Sequence, residues 1–116
     1  MSGINIVTTG AEINHYGSTV VGPVASTIQD NTPSFVKIEG VSVSSAEDKI
    51  DTPSHVYDYD IDMNPLFHAH TDQVVDDTAQ NYVKIDGNIV LLENDTSTTE
   101  DTRIDAAGQA FVTITI

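Results

Sequence analysis

Cysteine and tryptophan are absent from these 116 residues, and only four positions carry Lys or Arg. Without cysteine no disulfide can brace the chain, and thiols say nothing about its redox compartment. With three Phe and four Tyr, aromatic side chains are scarce. The core must come mostly from Val and Ile and must be thin. A small domain with a thin core commonly leans on a disulfide, a metal or a partner subunit. With disulfides excluded, metal and partner remain. The scarcity of cations leaves a formal charge of −14. Such a chain repels phosphate backbones, so no nucleic-acid partner is expected, and anionic lipid surfaces are disfavoured likewise. No apolar run approaches a membrane span. Met1-Ser2-Gly3-Ile4-Asn5 lacks the basic and apolar regions of a signal peptide. A soluble chain is expected, leaving a cell, if at all, by another route than ordinary secretion.

What is present is strand chemistry. Ser2 to Thr8 and Ser18 to Val24 are rich in Ile, Val and Thr. Phe35 to Ile38, Tyr82 to Ile85 and Phe111 to Ile116 alternate apolar and polar residues. Turn residues separate these runs at Thr9-Gly10, Gly22-Pro23, Thr32-Pro33-Ser34, Glu39-Gly40 and Asp86-Gly87. Short strands so punctuated predict an all-β domain spanning residues 1–116 as one unit. Asp-Gly favours a two-residue hairpin loop because both positions accept positive φ, and Glu-Gly is a weaker version. The segment Phe35-Val36-Lys37-Ile38-Glu39-Gly40 recurs as Tyr82-Val83-Lys84-Ile85-Asp86-Gly87. Glu47 to Asp51 similarly echoes Glu100 to Asp105. A duplicated hairpin followed by an acidic turn is expected. Tyr57 to Asp62 reads as a strand with one wet face, Gln73 to Gln80 as a turn of helix, and Asn94 to Asp101 as a polar loop or hairpin tip.

The chemistry-bearing residues are the four histidines, His15, His55, His68 and His70. His68 and His70 form a His-x-His pair, and residues i and i+2 of a strand share a face, roughly 6.5–7 Å apart. Two imidazoles so held can close on one metal ion, and the distant pair can complete its shell. Independent surface histidines are the plainer reading. Asp58-x-Asp60-x-Asp62 and Asn64 imitate the start of a calcium loop. Met63 replaces the glycine of its sixth position and Ala69 the glutamate of its twelfth, so a solvated acidic face is expected there. No Gly-x-Ser-x-Gly or His-Glu-x-x-His motif occurs. Ser54 and His55 would point to opposite faces of a strand. No enzyme is expected.

The order of these segments resembles that of PAAR-repeat proteins. These are the small conical tips seated on the trimeric spike of contractile injection devices such as phage tails and type VI secretion systems. The likeness is carried by the turn Asn14-His15-Tyr16-Gly17-Ser18-Thr19-Val20 before a strand run. Thr32 to Gly40 follow, then Val41 to Asp48 and on to Asp51-Thr52-Pro53-Ser54-His55. The Pro-Ala-Ala-Arg motif itself is missing. The resemblance implies a conical domain of short β-hairpins with pseudo-threefold repeats and a metal near the vertex. In the family that metal is zinc, held by three His and one Cys; here His15 and His55 match the early ligands, and His68 and His70 would supply the rest. Four imidazoles suit a closed zinc site. Iron is the second choice, because spike tips of other phages bind it through His-x-His pairs. The implied role is a non-enzymatic, membrane-piercing tip whose partners are a trimeric β-helical spike protein and the target cell envelope. Its location would be the central spike of a virion tail baseplate, or a type VI-like device that secretes it. The main alternative is a β-sandwich adhesion or decoration module binding calcium through its acidic face. A cupin-type His-metal enzyme is a more distant one.

Overall fold

The computed structural model describes residues 3–18, 20–33, 35–76, 81–98 and 101–115. The fold is all-β, a small single domain. Its strands are β1 (Ile4–Asn5), β2 (Glu12–His15), β3 (Val24–Ile28), β4 (Lys37–Ile38), β5 (Val41–Ser42), β6 (Ile50–Tyr59), β7 (Pro65–Gln73), β8 (Lys84–Ile85), β9 (Asn88–Ile89), β10 (Thr102–Ala106) and β11 (Thr113–Ile114).

Two expected hairpins form as β4–β5 and β8–β9. Their loops take positive φ at both central residues, 51° and 79° at Glu39 and Gly40, 50° and 83° at Asp86 and Gly87. This turn matches the right-handed twist of the flanking strands. The chain termini make a comparable pair, β1 with β11. The same spacing that carries Gly40 to Gly87 carries Asp48 to Asp95, so the counterpart of the Asp48 turn is Asp95. The echo expected at Glu100 to Asp105 is displaced: Thr102 to Asp105 belong to β10, and Glu100 lies outside the described residues.

Beside the three strand pairs, three segments interlock through the backbone. The amide of Val7 donates to Leu91 (2.9 Å), that of Leu91 to Ser44 (3.0 Å), and that of Ser44 to Val7 (3.0 Å). Each segment repeats the same outer bonds. The amides of Ile6, Val43 and Val90 donate to the carbonyls of Val112, Val36 and Val83. Those of Ala11, Asp48 and Asp95 donate to Thr8, Ser45 and Leu92. Closing backbone groups on one another leaves none of these ring donors unmet in the interior, where an unmade bond is costly. One apolar cluster, Ile6, Val43, Ile85, Val90 and Leu92, lies with the hairpins. A second, Val7, Ile13, Ile50, Val75, Leu91, Ile104 and Ala107, joins the ring to the larger sheet.

That sheet has the order β10-β2-β3-β6-β7. Its two edges are joined by the stretches that follow β7 and precede β10. Val75 bridges Ser97, and Thr96 bridges Arg103. The amide of Thr98 donates to Val74 (2.9 Å), and that of Ser97 to Thr102 (2.7 Å). The sheet therefore curls until its edges meet. Register shifts in β6–β7 and β10–β2 supply the extra bend. Pro53, which has no amide hydrogen, sits inside one such shift, between Thr52 and His55.

Several local expectations change. Of Tyr57 to Asp62, expected as a strand with one wet face, Tyr57–Tyr59 form the exposed end of β6, and Asp60–Asp62 enter the turn of the longest hairpin, β6–β7. A turn begins at Asp60, whose amide bonds the Asn64 carbonyl at 2.9 Å. Gln73 ends β7 rather than opening a helical turn, and residues 77–80 of that expected turn lie outside the described residues. Among the described residues of Ser18 to Val24, strand begins only at Val24, and Thr19 lies outside the description. Of Ser2 to Thr8 and Phe111 to Ile116, regular pairing takes only Ile4–Asn5 and Thr113–Ile114; Ser2 and Ile116 are not described. Ring contacts elsewhere replace ladder pairing. Asn94 to Asp101 is partly paired through Thr96 and Ser97, with residues 99 and 100 outside the description.

Candidate metal centre

Along β6 from Ile50, the interior passes from apolar to polar to imidazole. Ile50 is fully buried in the lower cluster, Thr52 follows at 2% exposure, and His55 at 6%. The neighbouring strands keep step. On β2 the sequence runs from Ile13 to His15. On β7 Gln73 pairs with Ile50, His70 with Thr52, and His68 with His55. Alternation along the strands puts these side chains on the inner face of the curled sheet.

The closure brings together residues that a flat sheet would separate. β2 and β7 stand three strands apart, roughly 14 Å at the usual strand spacing. The rings of His15 and His70 are nonetheless 4.6 Å apart between centroids, and those of His15 and His55 4.9 Å. His68 lies 4.5 Å from His55 and 4.4 Å from His70. One ligand nitrogen from each of the four falls within 4.8 Å of all the others. All four expected residues are thus brought together, both members of the His-x-His pair included. They can hold a metal ion.

The donor set fits such an ion. A tetrahedral centre with metal–nitrogen distances of about 2.0–2.1 Å sets its ligand atoms roughly 3.3–3.4 Å apart. The Nε2 atoms of His55 and His68 already approach to 2.9 Å. His55 Nδ1 is 2.9 Å from the Pro53 carbonyl. A carbonyl only accepts, so Nδ1 donates and Nε2 is left with its lone pair toward the cluster. Tyr57 stacks on His68 at 4.2 Å and 18°, covering its outer side. Among the described residues no carboxylate belongs to the group. Four imidazoles without an acidic partner resemble a closed structural centre rather than an open hydrolytic one.

The acidic stretch serves the hairpin turn. Asp60 accepts from the amides of Asp62 (2.9 Å) and Asn64 (2.8 Å) and from Asn64 Nδ2 (3.3 Å). The Asn64 amide is the chief cause holding its carboxyl below the usual range. Ser54 is exposed while His55 is buried, as strand alternation requires. Sequence reasoning missed the polar layer beneath the histidines, Ser26, Thr52, Gln73 and Thr102. Nothing in their local pattern distinguishes them from surface polar residues, and only the strand pairing brings them inside.

Comparison with known proteins finds no family model, no curated protein and no solved structure that matches this chain.

Proposed function

We propose that this protein is the tip of a trimeric spike, capping its blunt end and presenting a metal-braced point to a target envelope. The single observation that carries this reading is the ring of three hydrogen bonds through Val7, Ser44 and Leu91. A monomer that seats on a trimer must offer three equivalent surfaces. Each ring segment is flanked by an exposed aromatic–valine pair: Phe35-Val36, Tyr82-Val83 and Phe111-Val112. Val36, Val83 and Val112 line one shallow apolar depression together with Ile6, Val43 and Val90. Clustered exposed apolar residues of this kind mark interaction surfaces. The third repeat, built from the two chain ends, supports a pseudo-threefold base whose other two repeats are the β4–β5 and β8–β9 hairpins.

The opposite end of the inner sheet supports the point. The interior there narrows from Ile13, Ile50 and Ile104 to a polar layer and then to histidines, and binding free energy at a metal becomes folding free energy in so small a site. Zinc suits four imidazoles best; iron is the second choice, since imidazole serves both. The overall extents of 51 × 30 × 22 Å agree with an elongated body. The role is mechanical and needs no turnover. The resemblance to PAAR-repeat proteins, resting on the residues quoted above, gives the device: a contractile phage tail or a type VI-like secretion machine.

The test is binding to a trimeric β-helical spike protein from the same source. One tip per trimer is expected, and Val36→Asp, Val83→Asp and Val112→Asp should each abolish it while leaving metal content intact. A wild-type chain that stays monomeric beside the spike would overturn the capping role.

A further inference from the structure

Beneath the histidines a chain of hydrogen bonds runs across the closed sheet, and its polarity is fixed at both ends. Gln73 Nε2 lies 3.3 Å from the carbonyl of Ile50 and 2.8 Å from Thr52 Oγ1. Turning this amide over would set its oxygen against the Ile50 carbonyl, two acceptors face to face, so the nitrogen must point that way. The amide oxygen therefore faces Thr102, whose hydroxyl donates to it. A hydroxyl has one proton. With that proton given to Gln73, Thr102 Oγ1 can only accept from His15 Nδ1, 3.2 Å away. On the other side Ser26 donates to the Val24 carbonyl at 3.2 Å, so Thr52 donates to Ser26 at 2.8 Å. Every arrow points one way, from the His15 imidazole to a backbone carbonyl. Gln73, Thr52, Ser26 and Thr102 are all buried.

We propose that Gln73 and Thr102 are positioning residues that lock His15 as the Nδ1–H tautomer and so reserve its Nε2 lone pair for the metal. The inference rests on the metal reading above for its purpose, but the tautomer itself is a property of the metal-free protein. The same device serves His55, where the Pro53 carbonyl takes the Nδ1 proton directly. At His15 the relay through Thr102 and Gln73 leads onward to a carbonyl in the same way. Partners of this kind around a metal ligand typically change affinity about 10–100-fold when removed.

The experiment is nitrogen-15 NMR of the histidine rings in metal-free protein, paired with chelator-competition measurement of zinc affinity. Wild type should show His15 protonated at Nδ1. Thr102→Val should abolish the fixed Nδ1–H signature and weaken zinc binding about 10–100-fold, and Thr102→Ser should restore both. Gln73→Leu frees the Thr102 hydroxyl to donate to His15 and should shift the proton to Nε2. Where either variant folds poorly, the wild-type spectrum alone decides. A wild-type His15 protonated at Nε2, or a Thr102→Val protein with unchanged tautomer and zinc affinity, overturns the proposal. A wild type with the expected tautomer that binds no zinc overturns the metal reading and leaves the relay standing.

Discussion

His55 and His68 face each other across the β6–β7 ladder with their Nε2 atoms 2.9 Å apart. With the Nδ1 proton of His55 committed to Pro53, a proton on His68 Nε2 can fill that gap in the metal-free chain. A bound cation would take that proton's place. His55→Ala removes one ligand and also the Pro53 contact. In the metal-loaded protein a fall in Tm on the order of 10 °C is expected, since saturation at a hundred times Kd contributes about 2.7 kcal/mol. In chelator-treated protein the same substitution should cost much less. Differential scanning calorimetry with and without chelator separates the two. Equal losses in both conditions would assign His55 to packing alone.

Ser44 occupies the ring position held by Val7 and Leu91 in the other two segments, is fully buried, and leaves its Oγ without a hydrogen-bond partner. An unsatisfied buried hydroxyl costs about 1–3 kcal/mol. Ser44→Ala is therefore expected to be neutral or to stabilise by up to about 1 kcal/mol, read from urea unfolding. A marked loss of stability would mean that the hydroxyl has a structural task.

Gly108 stands at φ 85°, and a Cβ there would come within 2.6 Å of Thr8 Oγ1, 2.7 Å of the Gly10 carbonyl carbon and 2.9 Å of the Ala11 amide nitrogen. Two of these are backbone atoms of the turn entering β2, so the clash cannot be relieved by a rotamer change. Gly108→Ala combines left-handed strain of about 1–2 kcal/mol with overpacking of about 1–3 kcal/mol. A loss above about 2 kcal/mol is expected in chemical denaturation. A loss under about 0.5 kcal/mol, typical of open surface sites, would contradict that packing.

Asp105 anchors the outer face of β10. Burial pushes its carboxyl up, but hydrogen bonds from Tyr16, Asn14 and Arg103 outweigh that and hold it below the ordinary range. A carboxyl held low in the folded state contributes stability that is complete above its unfolded pKa of about 3.9. That contribution is lost as pH falls through the lower folded value. Asp105→Asn should thus be less stable than wild type near neutrality. The gap should narrow in acid below about pH 4. Unfolding curves at a series of pH values check this, and a gap independent of pH would contradict it.

How much of this could be read beforehand differs between parts of the chain. The two hairpins were legible because Glu39-Gly40 and Asp86-Gly87 carry a turn whose backbone demands those residues. The histidine cluster was legible because cysteine is absent and a His-x-His pair has few competing explanations. The β6–β7 hairpin was less so. Its turn at Asp60 to Asn64 has no glycine, and Met63 takes positive φ in its place. The third ring segment has no local signature, because Ile4 and Ile114 meet across nearly the whole chain. Gln73 looked like the start of a helical turn. Only the closure that brings β7 to β10 shows it as an interior residue bonded to Thr102.

Elemental analysis of the purified chain, before and after His15, His55, His68 and His70 are replaced by alanine, bears most directly on the centre. The account predicts one zinc or iron per chain in wild type, none in the quadruple variant, and a lower Tm once the metal is removed. A wild type with no stoichiometric metal, whose Tm is indifferent both to chelator and to the four substitutions, would contradict it.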